Sequence, residues 1–338
     1  MTEIRRATTE WQAMTPERFR AEVQPLYRPA VFRGYVKHWP AVQRQAQSLS
    51  TYVDYLQQLD SGKEVVTYTG DSAIGGRFFY QDDLEGFNFE RIAEPFSRAL
   101  ARILDAAERP EPPAIYTGAV SIADTVPEFA REHRCDLAGN TAVARIWVGN
   151  RAKVSTHYDM LDNVVCAVSG RRRFTLFPPE QLVNLYVGPI DFTLSGQPVS
   201  MVSLDEPDLA RYPRFAEALE HAEVVELEPG DALYIPKLWW HNVESLEPVN
   251  TIVNYWWNAT ELGPDAAFTT MMHGLLTISH LPEPERRAWR AFFDHYVFRP
   301  EGDPVAHIPE EKRGVLGRMT PRLYQALKRQ VFELLRRS

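Results

Sequence analysis

Short apolar runs recur along residues 141–257, and turn signals separate them. The runs are rich in β-branched and aromatic side chains, which favour strands over helices. Ser169-Gly170 and Pro229-Gly230 mark two of the turns. Many short strands at this close spacing predict a sandwich or barrel of the jelly-roll type. The predicted strands are 143–148, 164–168, 173–177, 224–227, 232–235 and 251–257.

Helical patterns precede this β-rich stretch. Thr15-Pro16 has the N-cap and first-turn chemistry of a helix start, which would carry Phe19 and Val23 inward. A stripe of apolar positions predicts a second helix over residues 88–107. The stripe comprises Ile92, Phe96, Leu100, Ile103 and Leu104.

The chain becomes helical again after the β-rich stretch. Thr320-Pro321 opens a last amphipathic helix, and the insert 178–221 holds a shorter one near residues 213–220. We predict a mainly β domain over residues 1–262, with an N-terminal α/β elaboration, and a helical region over 263–338. The last helix has a large apolar face, which predicts a homodimer; packing of this face on the β-core is the open alternative. The face comprises Leu323, Leu327, Val331, Leu334 and Leu335.

Composition and charge exclude several classes of protein. Lys and Arg number 37 and Asp and Glu 45, and the net charge of −8 makes nucleic acid an unlikely partner. No stretch reaches the roughly 20 apolar residues of a membrane span. Residues 1–20 lack the apolar run of a signal peptide. Cys135 and Cys166 are too few for a disulfide framework. These features predict a soluble cytoplasmic protein with no membrane partner.

The triplet His157-Tyr158-Asp159 is the first candidate for chemistry. Side chains alternate along a strand, so His157 and Asp159 point to one face and Tyr158 to the other. An imidazole and a carboxylate therefore converge on one place. A triplet of this kind also arises by chance, which leaves hydrogen-bonded core residues as the alternative interpretation.

The second candidate is His241, which ends the run GDALYIPKLWWH over residues 230–241. A titratable side chain directly after two tryptophans is costly to bury unless it has a partner. Two histidines and one carboxylate, with positions left open, form the facial triad of non-haem Fe(II) oxygenases. Structural zinc sites more often have four protein ligands. We predict that His157, Asp159 and His241 bind Fe(II).

Both motifs resemble the JmjC/cupin-like hydroxylases that depend on Fe(II) and 2-oxoglutarate. The first motif runs from His157 through Asn163 to GRRRFTLFPP at 170–179, and the second is GDALYIPKLWWHNVES at 230–245. The resemblance is closest to asparaginyl hydroxylases of the factor-inhibiting-HIF type, while residues 205–213 resemble the tRNA wybutosine hydroxylase. It implies a double-stranded β-helix, iron on the three residues above, and 2-oxoglutarate and O2 as co-substrates.

The resemblance also implies residues that hold the far carboxylate of 2-oxoglutarate. A family lysine corresponds to Arg172 in this chain, and a guanidinium can pair with a carboxylate through two hydrogen bonds. Strand alternation sends Arg172 to the face opposite Arg171 and Arg173. Tyr116 matches a tyrosine that assists at the same carboxylate.

Further pocket residues follow from the same resemblance. Asn163 and Asn254 match amides that line the pocket. The family threonine three residues before the first histidine is absent here, and Thr156 or Ser155 is left to substitute for it. The tryptophans beside the motifs are interpreted as packing residues, with one of them lining the substrate cleft as the alternative.

We therefore predict a 2-oxoglutarate-dependent Fe(II) dioxygenase that hydroxylates an unactivated C–H bond. A polypeptide side chain is the favoured substrate, because the net charge disfavours RNA and the insert 178–221 is suited to building an open groove. A small molecule, a tRNA nucleoside and an N-methyl group removed by demethylation stay open as substrates. A cupin-like binding module without enzymatic activity would have lost a metal ligand, and all three are present.

Overall fold

Two β-sheets form the core of the computed structural model, which describes residues 6–258 and 267–337. Every strand predicted between residues 141 and 257 is found within one or two residues of its expected ends. The strands are β1 Arg6–Ala7, β2 Thr9–Glu10, β3 Ala30–Phe32, β4 Glu64–Gly70, β5 Glu90–Pro95, β6 Ala114–Ser121, β7 Val143–Gly149, β8 Lys153–Tyr158, β9 Asp162–Ser169, β10 Arg172–Phe177, β11 Glu223–Leu227, β12 Ala232–Ile235, β13 Trp240–Ser245 and β14 Asn250–Trp257.

The sheets confirm a mainly β architecture consistent with a jelly roll. The smaller sheet has the order β1-β11-β10-β13-β8, and the larger has the order β2-β3-β12-β9-β14-β7-β6-β4-β5. Side chains of β9 alternate between two cores. Val165 and Ala167 pack in one hydrophobic cluster with Phe174 of β10 and Leu227 of β11. This cluster fills the space between the two sheets and supports the strands that carry the candidate site.

Helices from the N-terminal part of the chain, including α3 and α4, cover the other face of the larger sheet. Cys166 lies there in a cluster with Phe19, Tyr52 and Leu100, so it is a core residue, as predicted. The α-helices are α1 Pro16–Arg18, α2 Pro40–Gln47, α3 Leu49–Gln58, α4 Phe96–Ala107, α5 Ile122–Thr125, α6 Phe129–Glu132, α7 Phe215–His221, α8 Ala267–Thr277, α9 Glu283–Phe293 and α10 Pro321–Arg337. Single turns of 3-10 or π-helix occupy Phe19–Val23, Gln24–Leu26, Ser72–Ile74, Asp136–Ala138, Pro179–Asn184, Asp294–Phe298, Glu310–Lys312 and Gly314–Leu316.

Two of the predicted helix starts are confirmed. The Thr15 hydroxyl accepts a hydrogen bond from the backbone N–H of Arg18 at 3.2 Å, as an N-cap does. Phe19 and Val23 are buried, as their spacing from this cap predicted. Helix α10 begins at Pro321, directly after the predicted cap.

The predicted helix over residues 88–107 is wrong in its first eight residues. Residues Glu90–Pro95 form the edge strand β5, which pairs with β4, and the helix begins only at Phe96. Pro95 separates the two elements, because a proline in a helix interior removes a backbone donor and clashes with the preceding turn. The apolar stripe was correct from Phe96 onward, where Leu100 and Ile103 are buried.

The chain divides into two compact units, Met1–Asn258 and Ala259–Ser338. The predicted boundary after residue 262 falls within residues 259–266, which lie outside the described part of the chain. In the described part of the second unit, Val305 is the one buried apolar residue. None of the helices in the described ranges combines the length and apolar character that a membrane crossing requires.

His133 gives the β-domain a predictable response to acid. Burial lowers the pKa of His133 from 6.5 to about 4, and its Nε2 accepts a hydrogen bond from the buried N–H of Ala41 at 3.0 Å. Between those pH values the unfolded chain binds more protons than the folded chain. The free energy of unfolding should therefore fall by about 3 kcal/mol as the pH drops from 6.5 to 4.

Denaturant unfolding of the metal-free chain at several pH values measures this loss. His133→Gln retains an acceptor for Ala41 but does not titrate, so its unfolding free energy should depend less steeply on pH. His221→Gln is the matched control and should behave like the wild type. An unaltered pH slope in His133→Gln would show that another group is responsible.

Candidate metal centre

Two histidines face each other across neighbouring strands. His157 of β8 and His241 of β13 are directly paired in the antiparallel register, and their ring centroids are 4.3 Å apart. The register shifts between His241 and Val243, which is the signature of a β-bulge. Bulges re-aim side chains next to functional sites, and this one lies immediately beside the histidine pair.

Backbone hydrogen bonds orient both imidazoles. The Nδ1 of His157 donates to the carbonyl of Ser155 at 2.8 Å, and the Nδ1 of His241 donates to the carbonyl of Trp239 at 3.0 Å. An imidazole whose Nδ1–H is held in this way presents a neutral Nε2 lone pair, which is the form that binds a metal. Both rings therefore have the tautomer and orientation of metal ligands.

Asp159 completes the cluster from the residues just after β8. Its Oδ2 lies 3.8 Å from Nε2 of His241. The same oxygen accepts hydrogen bonds from the side-chain amide of Asn163 and the indole of Trp256, both at 3.2 Å. Ligand atoms of His157, Asp159 and His241 all lie within 4.8 Å of one another. The structure thus brings together the three residues that the two motifs predicted.

The electrostatics of the cluster favour a metal over a proton. Burial, followed by the neighbouring imidazole of His157, lowers the pKa of His241 to about 4. His241 is therefore neutral near pH 7, as a ligand must be. Nitrogen and carboxylate donors on one face of the site, with a cavity on the other, are the donor set of a non-haem iron centre.

The cluster opens into a cavity of about 650 Å³. Arg172 lies in its wall with 1% of its surface exposed. The guanidinium Nε and Nη2 have no hydrogen-bond partner, and no carboxylate of the described chain pairs with Arg172. Burial lowers the pKa of Arg172, with Tyr116 opposing the change, yet a guanidinium stays charged in proteins. A buried cation without a carboxylate partner is suited to receive an anion from the cavity.

The neighbours of Arg172 show why one arginine of three turns inward. Arg171 pairs with Glu247 at 2.8 Å, and Arg173 pairs with Glu226 at 2.7 Å on the exposed face of β10. Alternation along β10 sends Arg172 to the opposite face. The structure therefore places the arginine run as the sequence predicted.

The remaining predicted pocket residues fall into two groups. Tyr116, Asn163 and Asn254 line the cavity, and the amide of Asn254 donates to Oδ1 of Asn163 at 3.1 Å. The Asn254 Oδ1 has no partner. The hydroxyls of Ser155 and Thr156 both lack a hydrogen-bond partner. On β8, Ser155 lines the cavity, whereas alternation turns Thr156 to the opposite face. The structure thus favours Ser155 over Thr156 as the substitute for the family threonine.

Trp256 is a site residue that the sequence analysis interpreted mainly as packing. It lines the cavity and holds the Asp159 carboxylate through its indole N–H. Period-two alternation from Asn254 along β14 would have placed both side chains on one face. By contrast Trp239 donates to the backbone carbonyl of Tyr27 at 3.0 Å, and Trp240 packs edge-on against Tyr158.

The insert between β10 and β11 contributes residues 193–197 to the cavity wall. Two contacts fix the start of this segment. Phe192 stacks on Phe87 with ring centroids 4.9 Å apart, and the Tyr80 hydroxyl donates to the carbonyl of Phe192 at 2.6 Å. We call residues 192–197 the strap. No periodic pattern in the sequence identifies it, because its contacts are to aromatic side chains far along the chain.

Comparison with curated proteins yields several relatives. The chain is 28% identical to "Lysine-specific demethylase JMJ31" of Arabidopsis thaliana over 278 residues, covering 73% of this chain and 49% of that protein. It is 30% identical to "HSPB1-associated protein 1" of Homo sapiens over 295 residues, covering 81% and 57%. It therefore spans about half the length of these two relatives.

A third relative is matched over nearly its whole length. The chain is 27% identical to "tRNA wybutosine-synthesizing protein 5" of Mus musculus over 323 residues, covering 85% of this chain and 93% of that protein. A family model described as "Cupin-like domain" matches residues 16–262, the range that contains strands β3 to β14 and all three candidate ligands. The chain belongs to the cupin-like (JmjC) domain family.

Proposed function

We propose that this protein is an Fe(II)- and 2-oxoglutarate-dependent oxygenase that hydroxylates an unactivated C–H bond. One observation carries the proposal: the candidate metal-binding cluster and the guanidinium of Arg172, which is buried without a carboxylate partner, line the same cavity. A metal alone would not need the arginine, whereas a dicarboxylate that chelates the metal would use both. The names of two relatives, a lysine-specific demethylase and a tRNA wybutosine-synthesizing protein, support an enzyme of this class.

Each residue of the site has a role in this proposal. His157, Asp159 and His241 would hold Fe(II), while Asn163 and Trp256 keep the Asp159 carboxylate in place. Arg172 would receive the far carboxylate of 2-oxoglutarate, with Tyr116 beside it. When bound, iron with 2-oxoglutarate and O2 supplies the oxidising power that breaks the C–H bond. The protein orients these groups within a cavity wall that is largely apolar.

For the substrate we propose a side chain of a polypeptide, as in the asparaginyl hydroxylases. Tyr116, Asn163 and Asn254, which carried that resemblance, all line the cavity. The strap shows that the insert 178–221 contributes to the wall of the cavity, as a substrate-binding loop would. Demethylation of an N-methyl group would use the same centre and is distinguished by formaldehyde release.

Size-fractionated cell lysate tests the substrate class. Iron-loaded enzyme is incubated with 2-oxoglutarate, O2 and each fraction, and succinate is measured. We expect stimulation by large, protease-sensitive fractions. If succinate formation is stimulated only by material below about 1 kDa, and the stimulation survives protease, a polypeptide substrate is refuted. Asp159→Ala serves as the inactive control.

A tRNA nucleoside is the second candidate substrate. The match to the wybutosine-synthesizing protein over 93% of its length favours it, while the net charge of −8 disfavours contact with RNA phosphates. In the same lysate experiment, stimulation that ribonuclease abolishes and protease does not would identify this alternative.

We also propose that the second unit mediates a homodimer. Its α10 exposes Val331, Phe332 and Leu334, and its described part has Val305 as the one buried apolar residue. A unit with so little core of its own is suited to pack against a second copy. Light scattering of the full chain should give a dimer mass, and Phe332→Asp should lower it toward a monomer. A monomer mass for the unmodified chain would contradict the proposal.

A further inference from the structure

Arg91 of the edge strand β5 lies in the cavity wall, opposite the strap. Its Nη2 donates to the carbonyl of Leu194 in the strap at 2.5 Å. The guanidinium carbon lies 5.6 Å from the ring centroid of Tyr68, 5.2 Å from that of Phe87 and 5.8 Å from that of Phe89. These contacts hold the cation at a solvent-exposed part of the cavity wall, which we call the mouth. Arg91 has no carboxylate partner within residues 6–258 and 267–337.

The cavity wall carries more positive than negative side chains. Arg91, Lys153 and Arg172 line it, whereas Asp159 is the one carboxylate among its described lining residues. Lys153 is offset by Asp205, whose Oδ2 lies 2.5 Å away. In the loaded enzyme of the proposed function, iron and Arg172 together balance Asp159 and the two carboxylates of 2-oxoglutarate. Arg91 is then the lining cation left without a counter-charge, in a protein whose net charge is negative.

The aromatic residues at the mouth do not form a free cage for a cation. The rings of Tyr68 and Phe89 pack edge-to-face at 5.3 Å, and Phe87 stacks on Phe89 at 5.2 Å. Arg91 already lies against all three rings. A second cation, such as a lysine or methyl-lysine side chain, would be repelled by Arg91 at this place.

We propose that Arg91 is a specificity-determining residue that receives a carboxylate of the polypeptide substrate near the reacting position, and that disfavours basic segments. This inference rests on the proposed function. It adds that the cavity selects substrate segments that are negatively charged. Because Arg91 is exposed, water screens its charge, and an ion pair here predicts a preference for acidic over basic segments of about threefold.

Binding of three synthetic peptide pools tests the inference without turnover. The pools share length and neutral background, and differ in carrying Asp/Glu, Asn/Gln or Lys/Arg at the degenerate positions. The full chain, loaded with Fe(II) and 2-oxoglutarate without oxygen, is titrated with each fluorescent pool and followed by polarisation. We expect the acidic pool to bind the wild type most tightly and Arg91→Glu to prefer the basic pool.

Two further variants separate charge recognition from a structural role. Arg91→Lys should retain the acidic preference, because the charge is kept although the planar contacts are lost. Arg131→Glu makes the same change of charge at an exposed residue paired with Glu128 outside the cavity wall, and it should leave the preference unaltered. Thermal unfolding of each variant verifies that it is folded.

The outcomes distinguish this inference from the proposed function. Pools that bind equally, pools that do not bind, or an acidic preference that persists in Arg91→Glu would overturn the role of Arg91. If 2-oxoglutarate still binds the Fe(II)-loaded wild type in these cases, the proposed function stands. Failure of 2-oxoglutarate to bind the wild type would overturn both.

Discussion

Asp159→Ala should abolish turnover of 2-oxoglutarate and leave the chain folded. The change removes the one anionic ligand of the cluster, so that two neutral imidazoles remain and affinity for Fe(II) is lost. The amide of Asn163 and the indole of Trp256 lose their acceptor. Because both line a cavity that water can enter, we expect a loss of unfolding free energy of only about 1 kcal/mol.

Succinate formation with added Fe(II) measures the first effect, and thermal unfolding measures the second. Asp124→Ala is the matched control, because its carboxylate is exposed and pairs with Lys63 away from the cavity. It should retain wild-type turnover. Succinate formation by Asp159→Ala at the wild-type rate would show that the triad does not hold the catalytic metal.

Arg172→Ala should raise the KM for 2-oxoglutarate by a hundredfold or more. Removing one member of a buried, charge-assisted pair costs on the order of 3–5 kcal/mol, and each 1.4 kcal/mol corresponds to about tenfold in affinity. In the variant, the far carboxylate of 2-oxoglutarate would enter a buried place without a counter-charge. Arg172→Lys should retain much of the affinity, because the family uses a lysine at the corresponding position.

The neighbouring arginine supplies the control for this experiment. Arg171→Ala removes the same side chain one residue away, where it pairs with Glu247 on the exposed face. Its KM for 2-oxoglutarate should equal that of the wild type. An unaltered KM in Arg172→Ala would show that another residue of the cavity wall holds the far carboxylate.

The β-core was predictable because its signals are local. The strands 143–257 are short, β-branched and separated by turn residues, so each could be located without knowing its partners. The failure at residues 88–107 is also local. Pro95 marks the end of the strand, but this signal was outweighed by an apolar stripe that included Ile92, which lies in the strand before it. Pairing of β1 to β6 with the core depends on contacts between distant residues, which no periodicity specifies.

In the candidate site, too, the features set within one strand were predictable and those set between strands were not. Alternation within one strand predicted that His157 and Asp159 share a face and that Arg172 turns inward. The direct pairing of His157 with His241, and the bulge beside them, are set by the register of β8 against β13. Arg91 gave no signal either, because its importance depends on the strap, whose position is determined by contacts of Phe192 and Leu194 with side chains about a hundred residues earlier.

Anaerobic titration of the Fe(II)-loaded chain with 2-oxoglutarate tests most directly that the cluster and Arg172 form one binding site. A 2-oxo acid that chelates Fe(II) develops a charge-transfer absorption, which needs neither O2 nor the unidentified substrate. The wild type should show a band that saturates, Asp159→Ala should show none, and Arg172→Ala should need a far higher concentration of 2-oxoglutarate. A wild type without the band, or variants whose titration curves coincide with it, would contradict the account.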